Sequence, residues 1–320
     1  MPCSRAMTTS APRPAGLYGM GARGVSMLLC LSCLLCACSP DETARMPQYA
    51  SQAPVHDPRQ HWVFAVHPLY NPQLLHQKYL PLMHYLDQSV PDAVFDLDTS
   101  ADYAGFEAKL MSGHAAFSLP NPYEAVQSWA WGYHVLAKMA GDEDFRGVFI
   151  VRKDSPVKTP QDLIGKAVAY PAPSALAATM ATQLYLQDHG VDVQSQLANR
   201  FVGTHNSVLM NTYLGQSAVG ATSPRGWEAF QKANPREAAD MKQLWQTPPL
   251  VQNPVMARAD VPPGVQAQVR NALIHLRDTA EGRQLLLALD TPGFDAAEDA
   301  QYRPIQTFVQ AFNSRVKKQR

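Results

Sequence analysis

The sequence predicts an α/β fold in which sheets are flanked by helices. Short apolar runs alternate along the chain with longer stretches whose apolar residues recur at helical spacing, and such alternation argues for parallel sheets covered by helices. Helix starts are also marked by a capping residue followed by proline, as at Asn71-Pro72, Asn121-Pro122 and Thr159-Pro160. Proline suits the first helical position because its missing N–H would have no partner there.

In chain order, His61–Pro68 reads as a strand ended by Pro68. Asn71–Gln88 follows as a helix whose buried face is Leu74, Leu75, Tyr79, Leu82, Met83 and Leu86, with a kink expected at Pro81. Then come strand Ala93–Thr99, helix Tyr103–Met111 stopped by Gly113, strand Ala115–Leu119, and a helix opening at Asn121-Pro122. Arg146–Pro173 reads as two strands around a small helix, with Thr159 as cap, Asp162 three residues on and Gly165 as stop. A helix Ser174–His189 ends at Gly190. Strand Arg200–Gly203, helix His205–Leu214, strand Ala218–Ala221 and helix Arg225–Lys232 follow. Leu250–Asp260 is the last strand expected; beyond it the chain reads as helical, with a capping-box spacing at Asp278 and Glu281 and a final helix Ile305–Arg315.

The N-terminus has another character. All five cysteines lie at or before Cys38, and Val25–Ala37 is an apolar run of 13 residues. That is short of the ~20 needed to span a bilayer but suits a signal peptide over residues 1–37. Leu35-Cys36-Ala37-Cys38 resembles a bacterial lipoprotein signal, which implies a lipidated Cys38 and a periplasmic protein anchored to a membrane. Ordinary signal cleavage is the alternative. Residues 38–60 are polar and proline-containing and read as a flexible tether.

Basic and acidic residues balance at 27 each, so no nucleic-acid partner is expected. GxSxG, GxxxxGK[ST] and HExxH are absent, and no cysteine follows Cys38, so the chain does not read as an enzyme. The ten histidines form no HxH or HxxxH pair, and neither metal nor cofactor is expected.

Five segments, "FAVHPLYNPQLLHQKYLPLMHYLDQ", "PQDLIGKAVAYPAPS", "THNSVLMNTYLGQSAVGAT", "LWQTPPLVQNPVMARADVPP" and "TAEGRQLLLALDTPGF", occur in an order that resembles the periplasmic solute-binding proteins of phosphate, phosphite and phosphonate ABC transporters. The resemblance covers roughly residues 61–308. It implies the type II periplasmic-binding-protein fold (transferrin-like superfamily): two lobes of mixed sheet and helix, joined by two hinge crossings, closing over a ligand. Lobe one would span 61–150 with 255–320 returning to it and lobe two 151–250, with hinges near Val148–Asp154 and Pro249–Arg258. The resemblance also implies a small-molecule solute, an inner-membrane ABC permease as partner, and a monomer.

Open α/β sheets bind ligands beyond their strand ends, where helix N-termini present unpaired N–H groups and favour anions. The junctions that qualify supply the candidates Tyr70, Asn71, Asn121, Tyr123, Ser174, Ala175, His205 and Thr222. Of these His205 falls on a ligand-binding position of the family. Asn71 fits equally as a plain helix cap, and so does Ser174. Where phosphonate binders of the family carry Ser-Thr-Ser-Gly, this chain has Ala175-Leu176-Ala177-Ala178, and Ala218 stands where the family tends to have an aspartate. Losing several charge-assisted donors disfavours phosphonate itself. The expected ligand is a small, anionic, phosphonate-like or related solute of lower charge or more apolar character. The alternative is a lipoprotein that reports ligand state to a sensor kinase or cyclase.

Overall fold

The computed structural model describes residues 57–317; Cys38, the leader and most of the tether lie outside them. Two mixed sheets flanked by helices make up the fold, as the resemblance implies. The first sheet has six strands. Its elements begin with β1 (Gln60–Val66), α1 (Pro72–Ser89), β2 (Ala93–Thr99), α2 (Tyr103–Met111), β3 (Phe117–Leu119), α3 (Pro122–Ser128) and β4 (Tyr133–Met139). The chain then leaves for the second sheet with β5 (Val148–Arg152), β6 (Ala167–Tyr170), α4 (Thr182–Asp188), β7 (Ala198–Phe201), α5 (His205–Tyr213), β8 (Val219–Thr222), α6 (Pro224–Ala233), α7 (Pro235–Ala239) and β9 (Met241–Gln246). It returns through β10 (Pro254–Arg258), α8 (Pro263–Ile274), α9 (Ala280–Ala288), β11 (Phe294–Ala296) and α10 (Arg303–Arg315).

Strand order is β11-β4-β10-β3-β1-β2 in the first sheet and β7-β6-β8-β5-β9 in the second. β1 pairs parallel with β2 and β3, whereas β10 is antiparallel to β3 and β4. β6 pairs parallel with β7 and β8, and β5 is antiparallel to β8 and β9. The strand that follows each passage between the sheets, β5 on the way out and β10 on the way back, is thus inserted against the direction of its neighbours, which makes both sheets mixed.

Local chemistry explains where the helices begin. Asn71 accepts a hydrogen bond from the Leu74 N–H at 2.9 Å and starts α1, which runs on through Pro81. Asn121 and Glu124 form a complete capping box on α3. Thr159 and Asp162 do the same on a short 3-10 turn, Pro160–Leu163. The capping-box spacing at Asp278 and Glu281 is not used: α9 is capped one residue later, by the Thr279 hydroxyl accepting from the Gly282 N–H. The helix expected from Ser174 begins instead at Leu176 as a π-helical turn, Leu176–Ala181, before α4.

One core under the first sheet gathers Phe64, Leu75, Leu82, Met83, Phe95 and Phe117, with Phe117 stacked on Phe64 and edge-on to Phe95. Phe149, Val168, Tyr170, Leu176, Met180 and Val219 form the core around the second. Among the described residues no helix is long and apolar enough to cross a membrane.

The chain crosses between the sheets at residues 140–147 and 247–253. The first crossing precedes Val148, so β5 belongs wholly to the second sheet and not to a hinge. The crossings run side by side: Thr247 N–H donates to the Gly147 carbonyl, Gly147 N–H to the Thr247 hydroxyl, and Leu250 N–H to the Phe145 carbonyl. Gly147 is needed here for room. A Cβ on it would lie 2.4 Å from the Ala177 carbonyl oxygen in the π turn and 2.5 Å from Cγ2 of Thr182, the first residue of α4. Gly147→Ala is therefore expected to destabilise the protein by about 1–3 kcal/mol through overpacking, seen as a lower urea midpoint. An unchanged midpoint would show that the crossing yields freely.

Candidate functional site

The junctions of both sheets and both crossings meet at one cavity of about 30 Å³. A buried water needs roughly 10–15 Å³, so the space as closed holds a guest of very few atoms. The first-sheet side supplies His67 and Leu69 after β1, Tyr103 at the start of α2 and Asn121 before α3. From the second come the π turn, His205 at the start of α5, and Ser223 and Arg225 at the start of α6. The crossings supply Phe145 and the exposed Asp144 on one, and Gln252 and Asn253 on the other.

Arg225 dominates the electrostatics. It is half-buried and, among the described residues, forms no ion pair; its hydrogen bond is to the Met139 thioether at 3.4 Å. It also sits in the first turn of α6, whose first turn holds no acidic residue. The positive end of a helix disfavours a cation and favours an anion, so here charge and helix end add instead of cancelling. An anion in the cavity would compensate both.

Two buried histidines complete the polar wall. His67 is hydrogen bonded through Nδ1 to the Leu119 carbonyl at 3.1 Å. Burial, with Arg225 adding to it, pushes its pKa down to about 4 against the pull of that carbonyl. Neutral His67 therefore donates through Nδ1, which makes Nε2 an acceptor. His205 bonds through Nδ1 to the Thr222 hydroxyl at 2.7 Å, and burial followed by the proximity of His67 holds its pKa near about 3. That bond needs a glycine beside it: a Cβ on Gly226 would lie 2.5 Å from Thr222 Oγ1 and 2.7 Å from His205 Nδ1. Asn253 Oδ1 is buried without a hydrogen-bond partner among the described residues.

The alanine run has a packing role. Ala175 and Ala178 pack with the Tyr103 ring across the cleft, an apolar contact that hydroxyl side chains would interrupt. Other ties cross alongside it. Asn121 Nδ2 donates to the Ser174 carbonyl at 3.1 Å, Lys232 pairs with Asp290 at 3.3 Å, and Arg315 pairs with Asp188.

The sequence candidates thus separate by position. Asn121, Ala175 and His205 line the central cavity, and Thr222 is fully buried behind His205. Tyr123 and Ser174 line an outer groove of about 470 Å³ instead. Tyr70 and Asn71 line a third space of about 160 Å³ that His205 also borders. There Tyr70 donates to Asp290 at 3.4 Å, while the Asn71 side chain is occupied as the α1 cap. Sequence reasoning missed Arg225, His67, Gln252 and Asn253. A basic residue in the first turn after Ser223-Pro224 was the available signal, since nothing in helix chemistry favours it.

A sequence profile of the family described as ABC transporter, phosphonate, periplasmic substrate-binding protein matches residues 64–302. The chain belongs to this family. A relative from Prochlorococcus marinus (strain MIT 9301), named as the ABC-transporter phosphite-binding protein PhnD1, is 22% identical over 251 residues, 74% of this chain and 78% of its own. The solved structure of PhnD1 in complex with methylphosphonate is similar with a TM-score of 0.73 at 17% identity, covering 79% of this chain and 98% of that one. A binding-protein component of a phosphonate ABC transporter from Pseudomonas aeruginosa, PA3383, matches with a TM-score of 0.74 at 17% identity, over 80% of this chain and 87% of the other. At these identities the solved structures speak for the fold. As a member of the family, the chain is a periplasmic substrate-binding protein of the ABC-transporter type.

Proposed function

We propose that this chain is a receptor, anchored through a lipid on Cys38, that delivers a small monoanionic oxyanion to an ABC permease. The single observation carrying the reading is Arg225, a guanidinium with no ion-pair partner among the described residues, at a helix N-terminus on the wall of the central cavity. With one cation, two neutral histidines and one exposed, water-screened carboxylate, Asp144, the cavity matches one negative charge better than two; a desolvated dianion needs more charge-assisted donors than this wall offers. His67 Nε2 and the unpartnered Asn253 Oδ1 are acceptors, so the guest should carry an O–H besides its anionic oxygens. A singly protonated phosphite or small alkylphosphonate has that pattern. Asn121, Ala175 and His205 are the ligand contacts we favour among the sequence candidates, with Thr222 orienting His205.

Entry requires the lobes to part, because the ties from Asn121, Lys232 and Arg315 close over a space too small to load directly. Residues 140–147 and 247–253 are the proposed hinges, and ligand would shift the population towards the closed form. Calorimetric titration with phosphite, methylphosphonate, phosphate and sulfate tests the reading. Binding of phosphite or methylphosphonate in preference to sulfate, which has no proton to offer at neutral pH, is expected. No heat from any of the four would overturn it.

A further inference from the structure

A further polar cavity lies between α2 and α3, beside the outer groove, with which it shares Glu107 and Tyr123. It measures about 130 Å³ and is bordered by Glu107, Leu110, Tyr123, Glu124, Gln127 and Trp131. These residues lie on α2, α3 and the turn that follows, all beside the first sheet, so the cavity does not depend on lobe closure.

Two carboxyl side chains, Glu107 and Glu124, border it. Glu124 is 1% exposed. One of its oxygens accepts the Asn121 N–H at 2.8 Å in the capping box; the other, Oε1, is buried without a hydrogen-bond partner among the described residues. Glu107 Oε1 is buried and unpartnered as well. Among the described residues no lysine, arginine or histidine borders the space. Burial first, then the charge of Glu107, pushes the Glu124 carboxyl well above the usual carboxylate range against the pull of the Asn121 backbone. Leaving carboxylate oxygens buried and unpaired is costly unless a cation answers them.

We propose that this cavity binds a small primary ammonium ion, its N–H groups bridging Glu107 and Glu124 and its carbon end lying against Tyr123 and Trp131. Aromatic faces attract ammonium groups, and the apolar wall suits a short alkyl group. A hard metal ion fits poorly: calcium and magnesium take six or more oxygen ligands, and among the described residues no group of three or more acidic, histidine or cysteine side chains is placed to hold a metal. The site stands independently of what the central cleft binds.

Thermal melts of the intact protein in methylammonium chloride, against sodium chloride and tetramethylammonium chloride at equal ionic strength, test the assignment. A saturable rise of several degrees is expected with methylammonium alone, following ligand linkage. The rise should vanish in Glu107→Gln, a half-buried side chain outside the capping box, and in Glu124→Gln as a second variant. A melting temperature no higher in methylammonium than in sodium chloride overturns the proposal, as does a full rise in folded Glu107→Gln. A saturable response to magnesium or calcium that Glu107→Gln removes, without one to methylammonium, overturns the ammonium assignment.

Discussion

Replacing Arg225 by glutamine is expected to weaken phosphite binding about 100-fold or more while leaving the ligand-free protein at least as stable as the wild type. Hydrogen bonds to charged groups contribute about 1.5–3 kcal/mol each, a guanidinium can offer two to one oxyanion, and about 1.4 kcal/mol is a tenfold change in Kd. The second half of the expectation separates a binding role from a structural one. Among the described residues Arg225 forms no ion pair; it stands at the positive end of α6 and depresses the neighbouring His67. Glutamine therefore removes an uncompensated charge from a half-buried place, and residues retained for binding at a cost in stability behave in this way. Calorimetry for affinity and urea melts for stability check both halves. Unchanged affinity would remove Arg225 from the site, and a large loss of stability would make it a structural residue.

The second large effect is acid lability. His67 and His205 are held down to about 4 and about 3 from an ordinary value of 6.5. Between those folded-state values and 6.5 the unfolded chain binds more protons than the folded one, so stability falls as pH falls. Each histidine contributes a slope of about 1.4 kcal/mol per pH unit in that window. Glu124 acts in the opposite sense. Its raised carboxyl takes up a proton in the folded state first, so its contribution is present at low pH and lost as pH rises. Two histidines against one glutamate leave a net loss on acidification, from roughly pH 6 to pH 4. Urea melts across that range should show it, with a shallower slope in His205→Gln and a steeper one in Glu124→Gln. Equal slopes in wild type and His205→Gln would show that His205 is not held neutral by the fold. Bound anion should lessen the loss, because it favours the imidazolium.

Much of the architecture was legible because the chain writes its helix starts in side chains. Asn71-Pro72, Asn121-Pro122 and Thr159-Pro160 each cap an element where expected. What stayed hidden obeys different physics. β4 is missing from the sequence reading although it lies inside the first sheet: its burial pattern is almost continuous, so it shows no alternation. β11 has three residues, too few for any period. The π turn replaces expected α-helix where Ala177 and Thr182 lie close against Gly147 of the first crossing, a neighbour invisible in the local sequence. The site divides similarly. His205 was found from its strand-to-helix junction, whereas Gln252 and Asn253 join the cavity only because the return crossing runs beside the first one. Ala175–Ala178 line the cavity wall, but in the sequence they read only as lost hydroxyls, because their partner Tyr103 is distant in sequence.

The most direct test is a crystal structure of the protein grown with phosphite. The account predicts electron density for one oxyanion between Arg225, His205 and Asn253, with a phosphite oxygen in hydrogen-bond range of the guanidinium. Density for phosphite in the outer groove beside Tyr123 and Ser174, with the space at Arg225 empty, would contradict it.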